Sequence, residues 1–191
     1  MKIYEKFRLH SKKRRENVLR EIEILKQLDN EHIIKLYTTI DTGKQVVLVM
    51  EYIGKTSLYQ YLKSKPKKRI SEQETKKIFR RIIMGIQYLH CKKIAHRDIK
   101  LDNIMVNENY DVKIIDFGFS LFTQPGKKLN LHCGTPSYMA PELVAKKDYL
   151  GQPVDIWALG VLLYKMLTGY YPFNGKIALY SKLILHCLSI I

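Results

Sequence analysis

At 191 residues and 46% hydrophobic, the chain is long enough for one domain with a real core and too apolar for a disordered segment. A formal charge of +15 admits nucleic acid or an acidic surface as a partner. Its basic residues alternate with apolar ones at helical spacing, however, as in Lys76, Lys77, Arg80 and Arg81 against Ile78, Phe79, Ile82 and Ile83, which is the pattern of a solvated helix face and no specific nucleic-acid site.

The apolar runs at residues 161–163 and 182–191 are too short and interrupted to span a bilayer, and no secretory signal follows the basic N-terminus. Three scattered cysteines (Cys91, Cys133, Cys187) read as reduced thiols, which predicts a cytoplasmic location, with the nucleus as the other reducing compartment. The basic runs at residues 12–15 and 65–69 are weak signals for localisation or anion binding.

Residues 2–5 read as the tail of a strand, and residues 14–28 as a helix with Val18, Ile22 and Leu25 on one face. Residues 33–40 and 45–51 are β-rich runs about a turn at residues 41–44, which predicts a hairpin. Ser71 with Glu74 forms a capping-box pattern that opens a helix running to about Leu89. Val106 and residues 112–115 flank a second, short hairpin, and residues 154–168 are apolar nearly all round, as in a central helix. A small sheet with one helix therefore precedes a larger helical body, an α+β arrangement.

The chemistry concentrates in His96-Arg97-Asp98-Ile99-Lys100-Leu101-Asp102-Asn103 and Asp116-Phe117-Gly118. Phosphoryl transfer needs a carboxylate near the attacking hydroxyl, a cation near the transferred group and oxygen ligands for Mg²⁺. Asp98 offers the first, Lys100 the second, and Asn103 with Asp116 the third. Asn103 enters the second hairpin and Asp116 leaves it, so antiparallel pairing is expected to bring them to the same end. His90, Cys91, His96, His132 and Cys133 lack the paired spacing of a zinc site.

These motifs resemble those of eukaryotic-type protein serine/threonine kinases, most closely the AMP-activated and sucrose-nonfermenting type of the calmodulin-dependent group. The resemblance implies a bilobal fold, with residues 1–52 as a partial small lobe and residues 53–191 as a helical large lobe without its last helices. It also implies transfer of the ATP γ-phosphate to a protein Ser or Thr. In that family Asp98 would be the base and Lys100 would steady the phosphate, while Asn103 and Asp116 would hold Mg²⁺. Lys2 and Glu21 would form the ion pair that positions ATP. Met50, Glu51 and Tyr52 would meet adenine above Met105. Arg97, Thr135 and Glu142 would organise the activation and substrate loop, and Asp155 would lie on the helix that anchors the catalytic loop. Leu25, Leu36, His96 and Phe117 would stack into a regulatory column.

Departures from the pattern set further expectations. No Gly-x-Gly-x-x-Gly occurs, and the arginine that pairs with Glu142 is not found, so apolar surface at both ends is expected to attract a protein partner. An impaired interaction module and an incomplete gene product are the rival readings. Leu131 stands where related kinases carry the activating Thr, and Ser120 and Thr123 are the only hydroxyls between Phe117 and Cys133. Ser57 replaces an acidic residue of basic-directed kinases, which leaves Asp102 as a remaining source of acidity there.

Overall fold

The computed structural model describes residues 1–173. Expectations that fall on Cys187 and on the chain after Phe173 lie outside them.

The first lobe is a three-stranded antiparallel sheet with one helix. Strands β1 (Lys2–Glu5), β2 (Leu36–Asp41) and β3 (Gln45–Met50) lie in the order β1-β3-β2, with Ile3 opposite Val47 and Ile40 opposite the same residue from the other side. Thr42 shapes the β2–β3 turn, its Oγ1 accepting the N–H groups of Lys44 at 3.3 Å and Gln45 at 2.9 Å. Helix α1 (Lys12–Lys26) begins two residues before the periodicity suggests, because Ser11 Oγ caps it by accepting the Arg14 N–H. Val18, Ile24 and Leu25 of α1 are buried, and Leu48 of β3 joins the last two in the main core.

The first strand of the hairpin, β2, is corrected at its start. Residues 33–35 fall outside β2, and Ile34 bonds the second lobe instead: its N–H reaches the Ile114 carbonyl at 3.0 Å, the Ile114 N–H reaches the His32 carbonyl at 2.8 Å, and only Lys35 stays beside the end of β3, its carbonyl accepting the Glu51 N–H at 2.8 Å. The apolar run is genuine, but tertiary bonding takes its first residues away from the hairpin.

The second lobe is built on α2 (Leu58–Ser64), α3 (Glu72–Cys91), α4 (Pro141–Val144) and α5 (Gly151–Thr168). Between them lie short strands β4 (Ile94–Ala95), β5 (Ile104–Val106), β6 (Val112–Ile114) and β7 (Leu121–Phe122), in the pairs β4–β7 and β5–β6. α3 carries the expected capping box, with Ser71 Oγ accepting the Glu74 N–H and Glu74 reaching back to the Ser71 N–H. Ile78, Ile82, Ile86 and Leu89 of α3 are buried with Leu162 and Met166 of α5 in one core. Each such side chain contributes roughly 1.5–3 kcal/mol of burial.

Helix α5 is less central than its composition suggests. Val154, Ala158, Val161 and Leu162 face inward, but Ile156 and Leu167 remain exposed on the other side. An all-round apolar helix needs neighbours on every side, and the described residues cover only part of α5.

Glu74 also ties α3 to α2. The Lys65 ammonium at 2.6 Å and the Tyr61 hydroxyl at 2.7 Å hold the Glu74 carboxyl down to about 2. A depressed carboxyl stabilises the fold above its unfolded value, and that stabilisation is lost as pH falls through the folded value. The wild type should therefore melt above Glu74→Gln at pH 6. The gap in thermal midpoint should shrink between pH 4.5 and about 2. A gap independent of pH would show that the carboxylate contributes nothing through its charge.

Candidate active site

The loop after β4 begins in an unusual conformation. Arg97 has φ of 66°, a left-handed value that side chains with a Cβ rarely adopt. Asp155, projecting from α5 and 1% exposed, holds it there. Its Oδ1 accepts the Arg97 N–H at 2.8 Å and its Oδ2 accepts the His96 N–H at 2.9 Å. His90 Nε2 lies 2.9 Å from the same Oδ2. One buried carboxylate thus fixes two consecutive peptide groups and aims the next residue, Asp98.

Asp98 is 5% exposed and gathers three side chains. Lys100 Nζ donates to its Oδ2 at 2.8 Å, Asn103 Nδ2 donates to the same oxygen at 3.0 Å, and Thr135 Oγ1 donates to Oδ1 at 2.8 Å. Lys100 Nζ also donates to Thr135 Oγ1 at 2.9 Å, which closes a ring of three polar groups. Asn103 makes a second bond, to the Asp98 carbonyl at 2.9 Å, so its amide nitrogen is committed. Its Oδ1 accepts from no described side chain. Thr135 reaches Asp98 because Gly134 lets the loop come close: Gly134 has φ of +114°, and a Cβ there would sit 2.9 Å from the Arg97 carbonyl oxygen.

The second cluster joins the two lobes. Lys2 Nζ lies 2.8 Å from Glu21 Oε1 on α1 and 2.8 Å from Asp116 Oδ1. Burial works against the Lys2 charge, but the Glu21 carboxylate and the bonds to both acids outweigh it and raise the ammonium above its ordinary value. Asp116 is left-handed too, with φ of 61°. Burial would raise its carboxyl, yet the Lys2 bond and charge hold it below the usual range. Tyr4 donates a short bond to Glu21 Oε2, a supporting contact that the sequence reading missed. Asn103 and Asp116 flank the β5–β6 hairpin, where the Ile115 N–H donates to the Asn103 carbonyl at 2.9 Å. The antiparallel pairing therefore draws the two positions to one end.

The remaining sequence candidates divide. Met50 ends β3, and Met105 lies in β5 opposite Lys113. Glu51 is tied down, its carboxylate 2.8 Å from Lys113 and its N–H donating to the Lys35 carbonyl at 2.8 Å. The Tyr52 side chain is 74% exposed. Glu142, in α4, is half-buried and makes no ion pair with a described residue. Phe117 and His96 meet edge to face at 5.1 Å, and Leu25 and Phe117 share one buried core, with Leu36 packed against it.

The family model for the protein kinase domain matches residues 1–189. The chain belongs to the protein kinase family. Mouse NUAK family SNF1-like kinase 1 is 43% identical over 159 residues, covering 83% of this chain and 24% of that protein. Human NUAK family SNF1-like kinase 2 is 41% identical over 159 residues, 83% of this chain and 25% of that one. A Dictyostelium discoideum protein named "Probable serine/threonine-protein kinase MARK-C" is 42% identical over 168 residues, 86% of this chain and 22% of its own length. The resemblance to the sucrose-nonfermenting type is thus borne out. The chain spans about a quarter of the length of these curated relatives.

Proposed function

We propose that this chain carries the phosphotransfer site of a protein serine/threonine kinase that uses Mg·ATP. The observation that supports the reading is the convergence of Lys100, Asn103 and Thr135 on the two oxygens of Asp98. No bland packing role calls for a carboxylate, a cation and two hydroxyl- or amide-bearing side chains at one point in a loop.

The donor set fits the implied group. Asn103 Oδ1 and the Asp116 carboxylate are hard oxygen ligands, and Mg²⁺ bound with a nucleotide takes only one or two carboxylates from the protein. Asn103 and Asp116 would hold the metal, Lys2 would meet the phosphates, and the main chain of residues 50–52 with Met105 would receive the adenine. Mg·ATP, when bound, supplies the transferable phosphoryl group and the divalent charge upon it. Asp98 accepts the proton of the attacking hydroxyl, a step worth roughly 10²–10⁴ in rate. Lys100, already 2.8 Å from Asp98, offers its charge to the group in transfer. Thr135 fixes the orientation of both and brings the substrate loop to the base.

Thermal unfolding with and without saturating Mg·ATP, beside Asp116→Ala, tests the site. Ligand at a hundred times its dissociation constant adds about 2.7 kcal/mol, which reads as a higher midpoint. The wild type should shift and Asp116→Ala should not. A cooperative transition with no shift in the wild type would replace this reading with that of an interaction module.

A further inference from the structure

We propose that Tyr149 is a positioning residue that, through Arg97, latches residues 119–135 against the catalytic loop without a phosphorylated side chain. The proposal rests on the phosphotransfer reading for its activity readout and stands on bonding alone for the rest.

Arg97 is 5% exposed, so its guanidinium needs acceptors. Nε donates to the Phe119 carbonyl at 2.8 Å, and Nη1 donates to the Leu131 carbonyl at 3.3 Å and to the Tyr149 hydroxyl at 2.8 Å. Tyr149 in turn donates to the Leu131 carbonyl at 2.7 Å, so hydroxyl, guanidinium and carbonyl form a closed triangle. A second arginine, Arg20 on α1, donates Nε to the Ser120 carbonyl at 3.1 Å. The acceptors that the segment presents to these two cations are main-chain carbonyls, which every residue type carries.

None of the segment's three hydroxyls is bonded to Arg97, and each is engaged elsewhere, Thr135 with Asp98. Ser120 is 1% exposed, with its Oγ donating to the His96 carbonyl, and Thr123 donates to the Lys93 carbonyl at 3.0 Å. Residue 131 itself is a leucine. The latch is reinforced on the far side, where the Leu129 N–H donates to the Tyr149 carbonyl at 2.7 Å and the Tyr149 N–H returns to the Leu129 carbonyl at 3.0 Å. Burial raises the Tyr149 hydroxyl above its ordinary value, so it stays a donor at neutral pH.

The effect on chemistry runs through two contacts. The Arg97 carbonyl lies against Gly134, and the next residue, Thr135, bonds Asp98 at 2.8 Å. Freeing the guanidinium loosens residues 129–133 and with them the placement of Thr135.

Tyr149→Phe removes one hydroxyl and keeps the buried ring. Its test is hydrogen exchange at the Leu129 and Tyr149 amides together with kcat/KM toward a Ser/Thr peptide. We expect both amides to exchange roughly tenfold faster or more, the factor that corresponds to a hydrogen bond to a charged group, while α5 amides keep their protection. Activity should fall by a similar factor with KM for ATP unchanged. Leu131→Asp placed on Tyr149→Phe should restore both readouts, because it offers Arg97 a carboxylate. Unchanged exchange in Tyr149→Phe would overturn the latch whatever the activity. Faster exchange in a protein without kinase activity would leave the latch and remove the phosphotransfer reading. Loss of protection throughout α5 would also overturn it, as a general destabilisation.

Discussion

Asp98→Asn is expected to reduce phosphotransfer by roughly 10²–10⁴ while the Mg·ATP-dependent rise in thermal midpoint stays as in the wild type. The geometry explains why fold and nucleotide site should survive. Lys100 and Asn103 both donate to Oδ2, so the new amide will keep its oxygen on that side. Its nitrogen then faces Thr135 Oγ1, a hydroxyl that turns from donor to acceptor by rotation alone. The loop keeps its bonds and loses only a group able to take a proton. Steady-state turnover with a Ser/Thr peptide is the measurement. Turnover within twofold of the wild type would move the base elsewhere.

Asp155→Ala is expected to destabilise the chain more than any change at the site itself. It strips the acceptor from two buried N–H groups, at His96 and Arg97, and leaves the His90 ring without its partner. Each hydrogen bond to a charged group contributes roughly 1.5–3 kcal/mol, so a loss of at least about 3 kcal/mol should follow. For a domain of this size that lowers the midpoint by roughly 6–12 °C. Asp155→Asn keeps one acceptor oxygen and should fall between the two. A drop under about 1 °C in Asp155→Ala would show that water replaces the carboxylate at both peptide groups.

The sequence made the chemistry plain and left the supports hidden. Asp98, Lys100 and Asn103 sit within six residues, so their chemistry is a local pattern, and the β5–β6 hairpin that brings Asp116 back to Asn103 is short enough to infer from its turn. The Ser71–Glu74 cap was visible for the same reason: it is an interaction across three residues. The β4–β7 pair was not visible, because two two-residue strands carry no periodicity. Residues 33–35 read as strand because their composition is strand-like, and the bond from the Ile34 N–H to the Ile114 carbonyl of the second lobe decides otherwise. Tyr149 carried no signal in its own surroundings. Its bond to Arg97 spans 52 residues and exists only once α5 and the segment before α4 have docked. Arg20 was hidden likewise, since it lies 100 residues from the carbonyl it holds.

The dependence of the catalytic loop on Asp155 has a consequence for how the chain acquires its shape during synthesis. Arg97 and the acceptor that fixes its backbone are 58 residues apart, and the acceptor comes later. At translation rates of 5–20 residues per second, the loop exists for roughly 3–12 s before its clamp has been made. Over that interval Arg97 has no reason to leave an ordinary backbone conformation, and Asp98 is not yet aimed. The motif is therefore complete in the nascent chain well before the site is, and the order of assembly runs backward, from the helix at residue 155 to the loop at residue 97.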